Sequence, residues 1–238
     1  MKYFILISII FCSCSESKEK KFQLQVGDFL FQDLDSSPLC EAIESVTPGY
    51  KDQKFSHIGI ITKGGNPILQ NVDRKFEEKH FYKIQEEYRV LEAIPGGVTT
   101  TRLDSFLNNS LDSMDNSKVM VGRLKAEYRY LIKDAVRFLN DKIGIEYDNE
   151  FLLNNEKYYC SELIFEAFKK EDIFELAPMN FCDNNNEIMQ IWQDYYTKLD
   201  MKVPQGELGI NPGIMSLSSK INIIHDFAKK NFNGIKYE

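Results

Sequence analysis

The segment KYYCSELIFEAFKK, residues 157–170, places one cysteine at the start of an amphipathic helix. Apolar residues three and four positions apart predict the buried face of this helix, formed by Leu163, Ile164, Ala167 and Phe168. The opposite face is predicted to carry the charged residues Glu162, Glu166, Lys169 and Lys170. Cys160 shares the buried side and lies in the first turn, where the helix dipole stabilises a thiolate. The segment alone allows a nucleophile or a small buried core residue.

The bulk composition predicts an ordinary globular protein. A length of 238 residues suits one domain, or one domain with a tail, and 43% hydrophobic with 27% charged residues indicates a folded chain. The formal net charge of −7 argues against nucleic acid as a partner, because clustered Lys and Arg are needed to hold phosphate backbones.

The N-terminus has the pattern of a targeting segment. An apolar run from Tyr3 to Cys12 has the length of a signal-peptide core and is short for a membrane span. Either an ordinary cleaved secretory signal or a bacterial lipoprotein signal fits, and Ser13–Cys14 suits the second, with Cys14 lipidated. We therefore expect a signal over residues 1–13, a tether over 14–21 and the folded domain over 22–238. The mature protein is expected to be a periplasmic or outer-surface lipoprotein, attached to the membrane by its lipid.

Three cysteines remain beyond this signal. An odd number in an exported chain leaves at least one free thiol or an intermolecular bond. Cys40 and Cys182 are interpreted as structural residues. None of the cysteines or histidines has the spacing of a zinc site, so neither a metal nor another cofactor is expected.

His57 is the histidine best placed to act as a base for a thiol. It begins the apolar strand pattern HIGII, whereas His80 and His225 are predicted to be solvated or on a helix surface. Glu92 lies in the apolar strand pattern RVLEAI, where a carboxylate needs a partner if it is buried. If the two strands pair, Glu92 can orient the imidazole of His57. A satisfied core histidine and an outward-facing Glu92 remain alternatives from the residues alone.

The order of elements predicts an α+β fold, with several antiparallel strands and helices beside them. Strands are expected within 22–34, 88–98, 118–125 and the end of 203–224, and a hairpin with a Gly64–Asn66 turn within 55–72. Helices are expected within 38–47, 99–110, 126–144, 157–170 and 184–199.

Five motifs occur in an order that resembles a known family: GDFLFQ (27–32), FSHIGII (55–61), VLEAIPGGV (90–98), GIEYDNEF (144–151) and YYCSELIFEAF (158–168). The family is that of the permuted papain-like amidases, the YaeF/YiiX-like branch of the NlpC-type cysteine peptidases. In that group the histidine strand precedes the cysteine helix, as it does here.

The resemblance implies a circularly permuted papain-like fold, with an antiparallel sheet packed against helices. It also implies that Cys160 is the nucleophile, His57 the general base and Glu92 the third member. Tyr147 would line the substrate pocket or help to hold the oxyanion, and Tyr159 is the aromatic residue that the family allows before the nucleophile.

The resemblance further implies an exported cysteine hydrolase. Its substrate would be a cell-wall peptide or a lipid-like N-acyl amide, and thioesters are a further option. A non-catalytic envelope lipoprotein that binds a peptide or acyl ligand in the same cleft is the alternative, and a structural lipoprotein with a buried thiol is a third interpretation.

Overall fold

A six-stranded antiparallel sheet organises the protein, whose computed structural model describes residues 22–64 and 87–229. Its strands are β1 (Phe29–Gln32), β2 (His57–Lys63), β3 (Arg89–Ile94), β4 (Gly97–Arg102), β5 (Val119–Leu124) and β8 (Ile221–Asp226). They are arranged in the order β4-β3-β2-β1-β5-β8, and every neighbouring pair is antiparallel. Two short strands, β6 (Ala177–Pro178) and β7 (Leu208–Gly209), pair separately.

The helices are α1 (Pro38–Val46), α2 (Leu103–Asn108), α3 (Ile132–Asp141), α4 (Cys160–Ala167), α5 (Gln190–Lys198) and α6 (Pro212–Ser216). Short 3-10 turns occupy Tyr50–Asp52, Ala126–Leu131 and Lys169–Glu171. Helices packed on an antiparallel sheet confirm the α+β prediction. Within the two described ranges, no helix is long and apolar enough to span a bilayer.

Side-chain alternation along the central strands divides the core between the two faces of the sheet. Phe31 and Ile58 belong to the core on the side of α4, where Leu163 is fully buried with them. Leu30 belongs to the core on the other side, which α2 closes with Phe106. The sheet is therefore covered on both faces, and α4 is fixed against it by an apolar stripe.

The hairpin β3–β4 differs from the prediction for residues 99–110. The three threonines that were expected to begin a short helix belong to β4, where Thr99 lies opposite Glu92 and Thr101 opposite Val90. The helix begins only at Leu103. The physical reason is the Gly96–Gly97 turn, whose positive φ angles allow a tight reversal, and the preference of β-branched residues for strands.

The segment 126–144 is less regular than the single helix that was predicted. It is a 3-10 turn followed by α3. The spacing of its apolar residues predicts one helical stripe, formed by Tyr130, Leu131, Ala135, Phe138, Leu139 and Ile143, but only Ala135 and Leu139 are buried. Tyr130 is 64% exposed and Ile143 is 48% exposed, because the change of helical period rotates them away from the core.

Two further predictions concern the hairpin within residues 55–72 and the segment before the last strand. The strand of the 55–72 hairpin that contains His57 is β2, but the second strand of that hairpin lies outside the described residues. The segment before the last strand contains α6. The N-cap of this helix is Asn211, whose side chain accepts the N–H of Ile214 at 2.9 Å.

Candidate active site

Cys160 is the first residue of α4 and is 7% exposed. Tyr159 precedes it in an extended conformation, and the Tyr159 carbonyl accepts the N–H of Leu163 at the start of the helix. The N–H groups of a first helical turn have no acceptor inside the helix. The sulfur and the backbone N–H of Cys160 therefore lie at the positive end of the helix dipole, where negative charge is stabilised.

His57 and Glu92 come together because β2 and β3 are neighbours. The pairing of Ile60 with Leu91 continues to Gly59 opposite Glu92, so Glu92 and His57 point to the same face of the sheet. The Nε2 atom of His57 lies 2.6 Å from Oε2 of Glu92. Because a carboxylate only accepts hydrogen bonds, His57 donates from Nε2, which leaves Nδ1 for a second partner.

Gly59 leaves room for the Phe106 ring to pack beside the imidazole of His57. A Cβ atom at Gly59 would lie 2.4 Å from Cγ1 of Val90 and 3.0 Å from Cε2 of Phe106. The Phe106 ring itself lies 5.8 Å from the His57 ring, centroid to centroid. The absence of a side chain at this position thus lets Phe106 approach and restrict the imidazole.

Glu92 is held ionised by its neighbours. Burial alone would raise the pKa of this carboxyl, but hydrogen bonds from His57 and from the Thr101 hydroxyl outweigh burial and lower it. Thr101 was not identified from the sequence. The threonines after the Pro-Gly-Gly turn were the available signal, since a hairpin there puts Thr101 on the same face as Glu92.

His57 interacts with both Glu92 and Cys160. Burial would lower its pKa, but the effects of Cys160 and Glu92 exceed that of burial and raise the pKa to about 10. His57 therefore carries its proton at neutral pH. The structure thus brings Cys160, His57 and Glu92 together, although they come from α4, β2 and β3.

Tyr147 lies beside the sulfur and is joined to the strand-like segment before α4 by a bridge to Tyr158. Burial, and next the nearby charge of Cys160, raise the pKa of Tyr147 well above its ordinary value. The phenol therefore stays protonated, which suits a hydrogen-bond donor near the sulfur.

The backbone of Ile210 is hydrogen-bonded to the residues on both sides of Cys160, in an arrangement that we call the Ile210 clamp. Its N–H donates to the Tyr159 hydroxyl at 3.2 Å, and its carbonyl accepts from the Ser161 hydroxyl at 2.9 Å. Tyr159 and Ser161 flank Cys160 in sequence, so the loop before α6 is tied to the mouth of α4. Nothing in the local sequence pattern indicated this contact, since the partners are about fifty residues apart.

Replacing Tyr159 by phenylalanine removes the acceptor for the Ile210 N–H and leaves this donor buried. We expect the free energy of unfolding to fall by about 1–3 kcal/mol, measured by urea denaturation as a lower midpoint at unchanged slope. Tyr158→Phe is the matched control, because its hydroxyl makes no hydrogen bond within the described part of the chain. An equal loss in both variants would show that the clamp contributes nothing.

A cleft that is partly open to solvent lies beside Cys160. Its walls include the side chains of Tyr147, Phe151, Met179, Phe181, Trp192 and Ile210, and we call it the aromatic pocket. Met179, Phe181, Trp192 and Ile210 belong to the part of the chain that follows α4. Phe151 and Phe181 each make an edge contact with the Trp192 ring, so the walls support one another.

Glu162 corrects the predicted polar face of the cysteine helix. It is the third residue of α4 and is 2% exposed, and its Oε2 atom has no hydrogen-bond partner among the described residues. Burial, and next the charge of Asp148, raise the pKa of Glu162 to about 8. The carboxyl is therefore largely protonated at neutral pH.

The other sequence candidates lie apart from this chain of contacts. Cys40 is half-buried in α1 and Cys182 is buried, and both are free thiols. His225 was predicted to be solvated, but it is a buried residue of β8 whose ring stacks on Phe22, because the strand carries it inward. His80 and Cys14 lie outside the described residues.

The family model described as "Permuted papain-like amidase enzyme, YaeF/YiiX, C92 family" matches residues 23–224, so the chain belongs to that family. The circularly permuted papain-like fold and the general class of cysteine amidase or peptidase-type hydrolase follow from this membership. No curated protein matches the sequence significantly.

A solved structure supports the fold independently. The crystal structure of the metalloprotein yiiX from Escherichia coli O157:H7 superimposes with a TM-score of 0.61. The match covers 86% of this chain and 98% of that chain, at 19% sequence identity. At this level of identity the likeness concerns the fold alone.

Proposed function

We propose that the protein is a cysteine amidase in which Cys160 attacks the carbonyl, His57 transfers the proton and Glu92 orients the imidazole. The observation that carries the proposal is the hydrogen bond of 2.6 Å from His57 Nε2 to Glu92, which directs the other ring nitrogen to the Cys160 sulfur. A protein that only binds a ligand has no need of a thiol, a base and an orienting carboxylate in one chain of contacts.

The mechanism follows from the charges of the three groups. The Cys160 thiolate attacks an amide carbonyl, and the oxyanion forms next to the N–H groups at the start of α4. His57 then gives its proton to the leaving nitrogen, the C–N bond breaks and a thioester remains on the sulfur. Water, deprotonated by the now neutral His57, hydrolyses the thioester and releases the acid. Glu92 keeps the tautomer that presents Nδ1 to the sulfur throughout.

The structurally similar protein yiiX is described as a metalloprotein. Within residues 22–64 and 87–229, no group of three or more His, Cys, Asp or Glu side chains is arranged to hold a metal ion. The Nε2 atom of His57 is already bonded to Glu92, which removes it as a ligand. The donor set does not fit a metal centre, and no step of the mechanism is assigned to one.

Alkylation of the thiol tests the proposal without knowledge of the substrate. Because His57 carries a proton next to the sulfur, iodoacetamide is expected to modify Cys160 readily at pH 6, where an ordinary thiol is almost unreactive. His57→Ala should lower that rate at least about 10-fold, as measured by mass spectrometry of the Cys160 peptide. The thiol of Cys40 is the internal reference in the same sample. Equal rates for Cys160 and Cys40 would favour a binding protein.

We also propose that the enzyme is exported and held on a bacterial membrane by a lipid on Cys14, with residues 1–13 as the signal and 14–21 as a tether. The apolar run followed by Ser13–Cys14 supports this location. Cys14→Ala is expected to move the protein from the membrane pellet to the soluble fraction, whereas Cys12→Ala serves as the control. Membrane attachment that persists in Cys14→Ala would contradict the lipid anchor.

A further inference from the structure

The aromatic pocket has no charged side chain among its described walls. The polar walls are few. The side-chain oxygens of five of them, together with the Tyr159 hydroxyl, are hydrogen-bonded within the protein: Thr47, Ser56, Ser161, Asn180 and Asn211. Trp192 Nε1 is a buried donor with no partner among the described residues. The pocket thus offers mainly aromatic and aliphatic surface and no charged group.

The uncharged walls of the aromatic pocket distinguish between the two candidate substrate classes, cell-wall peptides and N-acyl amides. A cell-wall peptide carries carboxylates and ammonium groups, and burying a charge without a partner costs more than any contact in this pocket returns. An aliphatic acyl chain has no polar group to satisfy, and each methylene that it buries strengthens binding. The walls therefore favour the acyl chain.

The position of the pocket relative to His57 decides which half of the substrate enters it. The leaving nitrogen must lie at His57, because that residue supplies its proton. His57 is not part of the described pocket wall, whereas Cys160, Tyr159 and Ser161 are. The half of the substrate that stays on the sulfur as the thioester is the acyl half, so the pocket is placed to hold the acyl group.

We propose that the aromatic pocket is an acyl-chain site and that the substrate is an N-acyl amide with an uncharged aliphatic acyl group. The inference rests on the proposed amidase function and narrows its substrate class. In the reaction the acyl C–N bond breaks, the C–S bond to Cys160 forms, and His57 protonates the amine. Water then releases a fatty acid and restores the thiol.

Binding provides a test that does not depend on turnover. Trp192 is the one tryptophan of the chain and lies in the pocket wall, so its fluorescence reports occupancy. With Cys160→Ala protein, we expect the affinity for acetyl, hexanoyl and decanoyl methylamides to rise about 4-fold per added methylene. An affinity that does not depend on chain length, or tighter binding of an anionic wall-type peptide, would overturn the proposal.

A substitution that fills part of the aromatic pocket provides the second test. Val46 lines the pocket from α1, whereas Ser45 next to it is exposed. Val46→Phe is expected to lower the ratio of kcat/KM for decanoyl over acetyl aminocoumarin amides by about 10-fold, because the added ring occupies space for the chain. Ser45→Phe, which adds the same ring outside the pocket, should leave the ratio as in the wild type.

The outcomes separate this inference from the proposed function. If aminocoumarin amides are hydrolysed without chain-length preference and Val46→Phe leaves the ratio unchanged, the acyl site is wrong while the amidase stands. If no amide is hydrolysed and Cys160 alkylates like Cys40, the amidase proposal fails. The binding series then decides separately whether the pocket holds acyl chains.

Discussion

Cys160→Ala is expected to abolish amide hydrolysis, with kcat/KM reduced by about 10,000-fold or more for the best aminocoumarin amide of the acyl series. The substitution removes the atom that forms the thioester, and neither His57 nor the oxyanion donors can replace it. The free energy of unfolding should change little, because alanine fits the first turn of α4 and loses only one sulfur atom. Steady-state kinetics and a urea titration on the same preparation measure both quantities.

Cys40→Ala is the matched control for this experiment. It removes a half-buried thiol from another helix, α1, and leaves the chain of contacts between Cys160, His57 and Glu92 in place. Its kcat/KM is expected to stay within about 2-fold of the wild type. Hydrolysis that survives Cys160→Ala but not Cys40→Ala would show that the nucleophile lies in α1 and would refute the mechanism.

Glu92→Gln is expected to lower kcat/KM at neutral pH by about 100-fold and to move the alkaline limb of its pH profile downwards. Glutamine can accept from His57 and donate to Thr101, so the packing is retained and only the charge is lost. Glu92 is one cause of the raised pKa of His57. Without that charge the pKa of His57 falls, and the imidazolium that protonates the leaving nitrogen is lost at a lower pH.

The pH profile distinguishes this effect from a general loss of structure. Glu166→Gln removes a carboxylate charge from the same protein at a position where it pairs with Lys169, 2.9 Å away and apart from His57. Its alkaline limb should coincide with that of the wild type. An alkaline limb that stays in place in Glu92→Gln would mean that Glu92 does not act on the proton of His57.

The strands of the sheet and the interaction between His57 and Glu92 could be predicted from the sequence. Alternating apolar residues marked β2 and β3, and two polar residues in these strands, His57 and Glu92, needed partners that antiparallel pairing supplies. The predicted solvent exposure of Glu162 and His225 was wrong. Both residues were assigned to solvent, but Glu162 is buried in the first turn of α4 and His225 is buried on an edge strand.

The aromatic pocket could not be predicted in the same way. Its walls come from α1, from the loop before α4, from α5 and from the loop before α6, so no single periodicity describes them. The Ile210 clamp likewise uses backbone groups, whose position depends on tertiary contacts and not on side-chain type. Local patterns specify elements, whereas these features depend on where distant elements meet.

The chain order of the sheet and site has a consequence for biosynthesis. A ribosome delivers His57 and Glu92 first, then Cys160, then Ile210, and finally β8, which pairs with β5 at the margin of the sheet. A nascent chain that has not reached Cys160 therefore carries the proposed base and its carboxylate without the proposed nucleophile, and it cannot form the thioester of the proposed mechanism. Until β8 is made, the chain also exposes the edge of β5, which can recruit other unfinished chains. The proposed chemistry and the protection of this edge thus both depend on segments that are translated after His57 and Glu92.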